Sequence, residues 1–299
     1  MELQLLDDPN DFASLDADLE ALTSWKFLDR DVAAVANDPR SLLLLSIPKS
    51  GTTWLRFLLV NYAVQQRKPG AKRIGYAALK RFSSEREMIR NGKNPVRRDL
   101  RPFLPKFGMD HLLYQHPRRG VLFRDIQEHG GPKLLAYRNV LDYLVSSYFY
   151  FFEYRDGMRD SADHPRDLIP GYVRYWALSW RLFTEQIMPQ GHATLISYDA
   201  LQADTAAEFS RALTDLGIDV DMDAVARAIP LASSEAASED ESQRGASLVG
   251  RLDRGSFVRD GSVGQWRDHF DSSTIDEIRV LLASLGIDPT AALPNDVDS

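Results

Sequence analysis

Residues 42–54 constrain this chain more than any other stretch. The run Leu42 to Leu45 in "SLLLLSI" is short, continuously apolar and closed by Pro48, which reads as a strand buried on both faces of a parallel sheet. "PKSGTTW" follows at once, and "TTWLRFLLVNYAVQQ" continues as a helix until the breaker "RKPG" at 67–70. A strand feeding a small-residue turn that opens a helix is the local architecture that holds phosphate. Successive backbone N–H groups line the turn, and the helix dipole favours an anion there. Gly51 lets backbone approach a ligand, the Thr52 and Thr53 hydroxyls add donors, Lys49 can reach the far side of a bound group, and Trp54 offers a flat face. The lysine precedes the glycine, the reverse of the ATP-binding order GxxxxGK[ST].

The rest of the chain repeats the alternation. "HLLYQHP" (111–117), "PKLLAYRN" (132–139) and "HATLISYD" (192–199) read as further strands. "VLDYLVSSYFYFFEYR", with Asn139 as its cap, reads as a helix. So do "DLIPGYVRYWALSWRLFTEQI", whose aromatics at helical spacing read as core, and "ALQADTAAEFSRALTDLG", closed by Gly217. Strands alternating with helices imply an α/β fold, a single domain over 1–299 with a central parallel sheet flanked by helices. Residues 1–40 read as a helical lead-in, 67–106 as a basic region and 232–260 as a mobile loop.

With 299 residues, 44% hydrophobic and 26% charged, the composition is that of a globular protein able to bury a full core. The absence of cysteine excludes disulfides and thiolate metal sites. No apolar run approaches the ~20 residues of a membrane span. The acidic start "MELQLLDDPNDF" lacks the order of a signal peptide, so a cytoplasmic location is expected. A net charge of −7 argues against nucleic-acid and membrane-surface partners. From Arg67 to Lys106, however, 13 Lys or Arg face 3 Asp or Glu. That stretch is either a solvated surface or a field that attracts an anionic donor or acceptor.

"PKSGTTW" resembles the 5′-phosphosulfate loop of the sulfotransferases that use 3′-phosphoadenosine-5′-phosphosulfate (PAPS), especially the cytosolic type. "YRNVLDYLVSSY" (137–148) and "FVRDGSVGQWRDHF" (257–270) are similar to the two segments with which that family grips the 3′-phosphate. The resemblance implies a P-loop-like sulfotransferase fold and an enzyme that releases 3′-phosphoadenosine-5′-phosphate (PAP), with no metal required. It implies that Lys49, Ser50, Gly51, Thr52, Thr53 and Trp54 hold the 5′-phosphosulfate and adenine, and that Arg138, Ser146, Arg259, Asp260 and Gly261 hold the 3′-phosphate. Tyr198, at the end of "LISYDAL", would lie near adenine. Lys49, His116 and Ser146 form the expected catalytic set: Lys49 offsets charge on the departing oxygen, and His116 in "LLYQHPR" takes the acceptor's proton, in preference to His111 or His129. Trp266, His269 and Phe270 match the late segment but are read as packing residues.

The chain departs from the family's pattern in places. Tyr114 and Asp260 stand where the family has lysine, and "PLASSEAAS" supplies no aromatic for the second adenine face, where Ser233 could contact the base. "RDHFDSST" replaces the family's dimer segment, so its dimer mode does not carry over. The acceptor is read as a small-molecule or carbohydrate hydroxyl, or an amine. The aromatic run "YFYFFEY" (148–154) favours an apolar acceptor, and the basic region an anionic one. The competing reading is a P-loop kinase or NTPase in which Asp199, ending "TLISYD", binds magnesium.

Overall fold

A computed structural model of the chain describes residues 41–75, 79, 83–85, 107–111, 126, 129–153, 162–244 and 261–297. Its centre is a parallel sheet of five strands: β1 (Leu42–Ser46), β2 (Ser83–Glu85), β3 (Phe107–His111), β4 (Lys133–Tyr137) and β5 (Ala193–Ser197). The spatial order is β2-β3-β1-β4-β5, which puts the four-leucine strand in the middle. Every residue of β1 is buried, as a strand covered on both faces requires.

Alternation along β1 sends its side chains into two separate cores. Leu42 and Leu44 join Phe57, Leu58 and Tyr62 from helix α1 (Thr52–Arg67) on one face. Leu43, Leu45 and Ile47 join Val140, Leu141 and Leu144 from helix α2 (Val140–Tyr148) on the other, with Trp176 and Leu178 from helix α3 (Ile169–Arg181). β1 and β4 are hydrogen-bonded neighbours, Ser46 opposite Ala136, yet the helices that follow them leave to opposite faces. Two adjacent strands whose connections diverge leave a crevice beyond their carboxyl ends, where open α/β sheets bind ligands. Loop 48–51 and residues 138–139 both open there.

Expected and observed elements agree at β1, α1, β4 and β5, and Asn139 caps α2 by accepting from Asp142 N at 2.9 Å. Two differences have local causes. The helix expected over 200–217 is two, α4 (Tyr198–Ala203) and α5 (Thr205–Asp215), because Asp204 ends one and caps the other by accepting from Ala207 N. Ser234–Arg244, inside the stretch expected to be a mobile loop, is helical (α7), after α6 (Met222–Leu231). Its Ala, Glu, Gln and Arg are good helix formers, and the Ser233 hydroxyl accepts from Ala236 N at its start. A strand lies at Phe107–His111; of the stretch 111–117 expected as a strand, residues 112–117 lie outside the described residues, as do 1–40 and 245–260.

The chain closes with α8 (Ser272–Ser284) and α9 (Pro289–Ala292). Asp271 caps α8: its Oδ1 accepts from Thr274 N at 2.8 Å and Thr274 Oγ1 at 2.7 Å. These hydrogen bonds hold its carboxyl well below the usual 3.8, at about 2. A depressed native value stabilises the fold above the unfolded value and loses that contribution as pH falls through about 2. Asp271→Ala is therefore expected to lower the melting temperature at pH 7. The gap from wild type should narrow as pH falls from 3.8 toward 2; a gap independent of pH would show that the cap does not act through the ionised carboxylate.

Candidate functional site

The loop after β1 is set by its backbone. Lys49 and Gly51 have φ of 66° and 72°, with Ser50 between them outside that left-handed region. For lysine this conformation costs about 1–2 kcal/mol. Alternating hand along successive residues makes a concave row of N–H groups that suits an anion. Gly51 is also the N-cap of α1, and no side chain caps the helix and no acidic residue lies in its first turn. The first-turn N–H groups thus point beyond the helix without a competing carboxylate. The Ser50 and Thr52 side chains are buried, and Ser50 Oγ and Thr52 Oγ1 have no hydrogen-bond partner among the described residues. Buried hydroxyls without partners cost stability, so two in one loop mark a place shaped for an external polar group.

Arg138 follows β4 as Lys49 follows β1. It is 5% exposed, and its guanidinium donates from NH2 to Ser262 O at 2.6 Å while Nε has no partner among the described residues. The backbone carbonyl of Arg138 accepts from Trp176 Nε1 at 3.0 Å, anchoring the strand end to α3. Asp142, one helical turn on, lies 3.5 Å from the Arg138 guanidinium. Its carboxylate also accepts from Gly264 N at 2.8 Å, Trp266 N at 3.2 Å and Asn139 Nδ2 at 3.0 Å. One buried carboxylate thus ties the late segment 261–266 to the strand end that carries Arg138. Asp142 turns inward, 1% exposed, while Ser146, one helical turn on, is half-buried.

Tyr198 draws three segments together. Its ring lies against Gly51, where an added Cβ would overlap it, and meets Trp54 edge-on at 5.6 Å between centroids. The Arg138 guanidinium sits 4.5 Å from the Tyr198 ring centroid. The Tyr198 hydroxyl donates to Gly261 O, and Gln202 Nε2 donates to the same carbonyl at 2.9 Å. Burial pushes the Tyr198 phenol up, with the Arg138 charge pulling the other way. Gly51, Trp54, Arg138, Tyr198 and Gly261 therefore meet at the carboxyl ends of β1, β4 and β5. Lys49 is placed separately, its ammonium 3.7 Å from the centroid of the Tyr150 ring.

Other expected residues fall elsewhere. His116, Arg259, Asp260 and Tyr114 lie outside the described residues. His129 is buried, with Nε2 2.8 Å from Ser41 O, at the end of β1 remote from the loop. Ser233 spends its hydroxyl at the start of α7. Trp266 and Phe270 are buried as packing residues. Asp199 is committed: Oδ2 accepts from Asn139 N at 2.9 Å and Oδ1 from Asn139 Nδ2 at 3.0 Å. Burial pushes its carboxyl above the usual range, against the pull of those Asn139 bonds. A half-buried carboxylate clasped at both oxygens is a strut, which removes the magnesium ligand that a kinase reading needs. Among the described residues no cluster of metal-ligating side chains occurs, and no helix is long and apolar enough to cross a membrane.

Gln202 and the docking role of Asp142 escaped sequence reasoning. Gln202 lies one helical turn after Tyr198, a spacing that could have flagged it. The Asp142 partners Gly264 and Trp266 are 122 and 124 residues away in sequence, beyond any local signal.

No curated protein sequence matches the chain closely. Among solved structures the same fold occurs in mouse sulfotransferase SULT7A1 complexed with PAP, at 18% identity over 85% of this chain and 87% of that one, with a TM-score of 0.56. It occurs also in retinol dehydratase in complex with androsterone and inactive cofactor PAP, at 18% identity over 86% and 84%, TM-score 0.58. Retinol dehydratase in a complex with retinol and PAP gives 16% over 86% and 84%, TM-score 0.57. The family model of the sulfotransferase domain matches residues 39–284, from just before β1 to the end of α8, and so takes in the loop, Arg138, Tyr198 and Gly261 together. The chain belongs to the sulfotransferase family.

Proposed function

We propose that the chain transfers a sulfuryl group from PAPS to a hydroxyl, or an amine, of a small-molecule acceptor and releases PAP. One observation carries the reading: Gly51, Trp54, Arg138 and Gly261 gather around Tyr198 beside two buried hydroxyls without partners, Ser50 and Thr52. Such a cradle fits a nucleotide with phosphate at both ends, and the three similar structures hold PAP. The loop N–H groups with Ser50, Thr52 and Thr53 would hold the 5′-phosphate. Arg138 with Ser146, and Arg259, Asp260 and Gly261 of the late segment, would hold the 3′-phosphate. Trp54 and Tyr198 present rings for adenine.

When bound, PAPS supplies a sulfuryl group already activated by its phosphate leaving group. Lys49 keeps a positive charge where the bridging oxygen gains negative charge as the sulfur–oxygen bond breaks. His116 takes the proton that the acceptor loses as its oxygen or nitrogen bonds to sulfur. The rest is positioning, as in phosphoryl transfer. For the acceptor, Tyr148, Phe149 and Tyr150 are half-buried while Phe151 and Phe152 enter the core. Partly open aromatic surface beside the loop supports an apolar small molecule over a carbohydrate, and two of the similar structures hold androsterone or retinol.

Thermal unfolding with PAP against ATP–Mg at matched concentration tests the reading. At 100 times its dissociation constant a ligand of the native state adds about 2.7 kcal/mol, a shift of several degrees. PAP alone is expected to stabilise the protein. Stabilisation by ATP–Mg alone would overturn the proposal.

A further inference from the structure

Lys49 and Tyr150 are about 100 residues apart in sequence, and the ammonium of one lies on the ring face of the other, 3.7 Å from its centroid. Each approaches from its own strand: Lys49 three residues beyond β1, Tyr150 at the far end of the helix that follows β4. Tyr150 belongs to a π-helical turn, Phe149–Glu153, that continues α2. Such turns are rare and concentrate at functional sites. The turn is pinned from behind by Phe151 and Phe152, only 8% and 7% exposed, and the Tyr150 ring meets Phe151 edge-on at 4.9 Å between centroids. The ring is therefore a fixed surface, whereas a lysine side chain has four rotatable carbons and a mobile charge.

We propose that Tyr150 is the positioning residue for Lys49, holding its ammonium beside the loop in the charged form needed at the bond that breaks. This rests on the donor reading above. The chemistry of the pair supports it. A carboxylate in the same place would also hold the lysine, but would cancel the charge that the departing phosphate oxygen requires. An aromatic face attracts the ammonium through its quadrupole and adds no net negative charge. The contact needs only the ring, so phenylalanine can replace Tyr150 and an aliphatic side chain of similar size cannot.

The test compares Tyr150→Phe with Tyr150→Leu in the full chain, using two readouts. In protein labelled with 13C-lysine, the ε-methylene signal of Lys49, identified by its loss in Lys49→Arg, is expected upfield of the other lysines through the ring current. It should stay there in the Phe variant and return to the common position in the Leu variant. A signal unmoved in the Leu variant overturns the proposal. The second readout is PAP release from PAPS with water as acceptor, which needs no cognate acceptor. Water's oxygen bonds to sulfur, the bridging bond breaks with its electron pair left on the phosphate oxygen, and the proton goes to solvent. The Leu variant is expected to be about 2- to 30-fold slower than the Phe variant, with the PAP dissociation constant unchanged by calorimetry. Equal rates in the two variants overturn the proposal. Failure of the wild-type chain to bind PAP sinks the donor reading instead, and calorimetry shows that before either variant is compared.

Discussion

Lys49→Ala is expected to lower turnover about 10²–10³-fold, the usual effect of removing one group that stabilises charge in the transition state. Affinity for PAPS should change far less. The loop N–H groups, the Ser50 and Thr52 hydroxyls and the Arg138 guanidinium remain in place, and under the proposed function they hold the donor before any bond breaks. In the proposed reaction the lysine acts on charge that appears only as the bridging bond opens, so the loss is expected in kcat and not in KM for the donor. The positive φ of Lys49 bears on the choice of variant: alanine at φ 66° keeps the strain without adding bulk, so the loop geometry is expected to persist. The measurement is kcat and KM for PAPS with a phenol or steroid alcohol as acceptor. Equal loss in both parameters would show that Lys49 binds the donor without assisting the bond that breaks.

Asp142→Ala should produce the largest loss of stability among site variants, about 3–5 kcal/mol. The wild-type carboxylate is fully buried and faces a guanidinium 6% exposed. Its removal strands the N–H groups of Gly264 and Trp266, half of the Asn139 amide and the Arg138 charge, none of which gains water in exchange. Asp142→Asn keeps the shape and one acceptor and should lose less. Function should follow the same geometry, because the carboxylate ties segment 261–266 to Arg138, the two parts assigned to the 3′-phosphate. Affinity for PAP is therefore expected to fall more than affinity for 5′-AMP, which lacks that phosphate. Denaturant titration gives the first quantity and calorimetry with both nucleotides the second. A uniform loss for both nucleotides would confine Asp142 to a structural role.

Much of this protein is written in short stretches. Four leucines in a row, a proline, and a turn of Lys, Ser, Gly and Thr leave few conformations other than a buried strand, a left-handed turn and a helix, and the structure has all three. Asn139 as a cap and Gly51 in a left-handed turn follow from side-chain and backbone chemistry acting over three or four residues. Where local signals competed, boundaries moved. Asp204 is a better cap than a helix interior residue and split the expected helix, and the helix formers of 234–244 outweighed their polarity.

What only the tertiary structure decided is which distant groups meet. Sequence alone could make Asp199 a metal ligand and leave Asp142 without an assigned role. Packing made both into struts, since a carboxylate wholly or partly withdrawn from water must find donors wherever the fold supplies them, here on Asn139 and on the backbone of 264–266. Tyr198 read as a surface for adenine; packing made it also the point where loop, strand end and late segment touch. Lys49 was recognisable from its place before Gly51, but the Tyr150 ring beneath its ammonium depends on β1 and β4 being neighbours and on a π turn that no periodicity announces. The local chain thus determined which chemical groups were on offer, because turn and strand formation are short-range. Their final partners were set by burial, which acts between residues far apart in sequence.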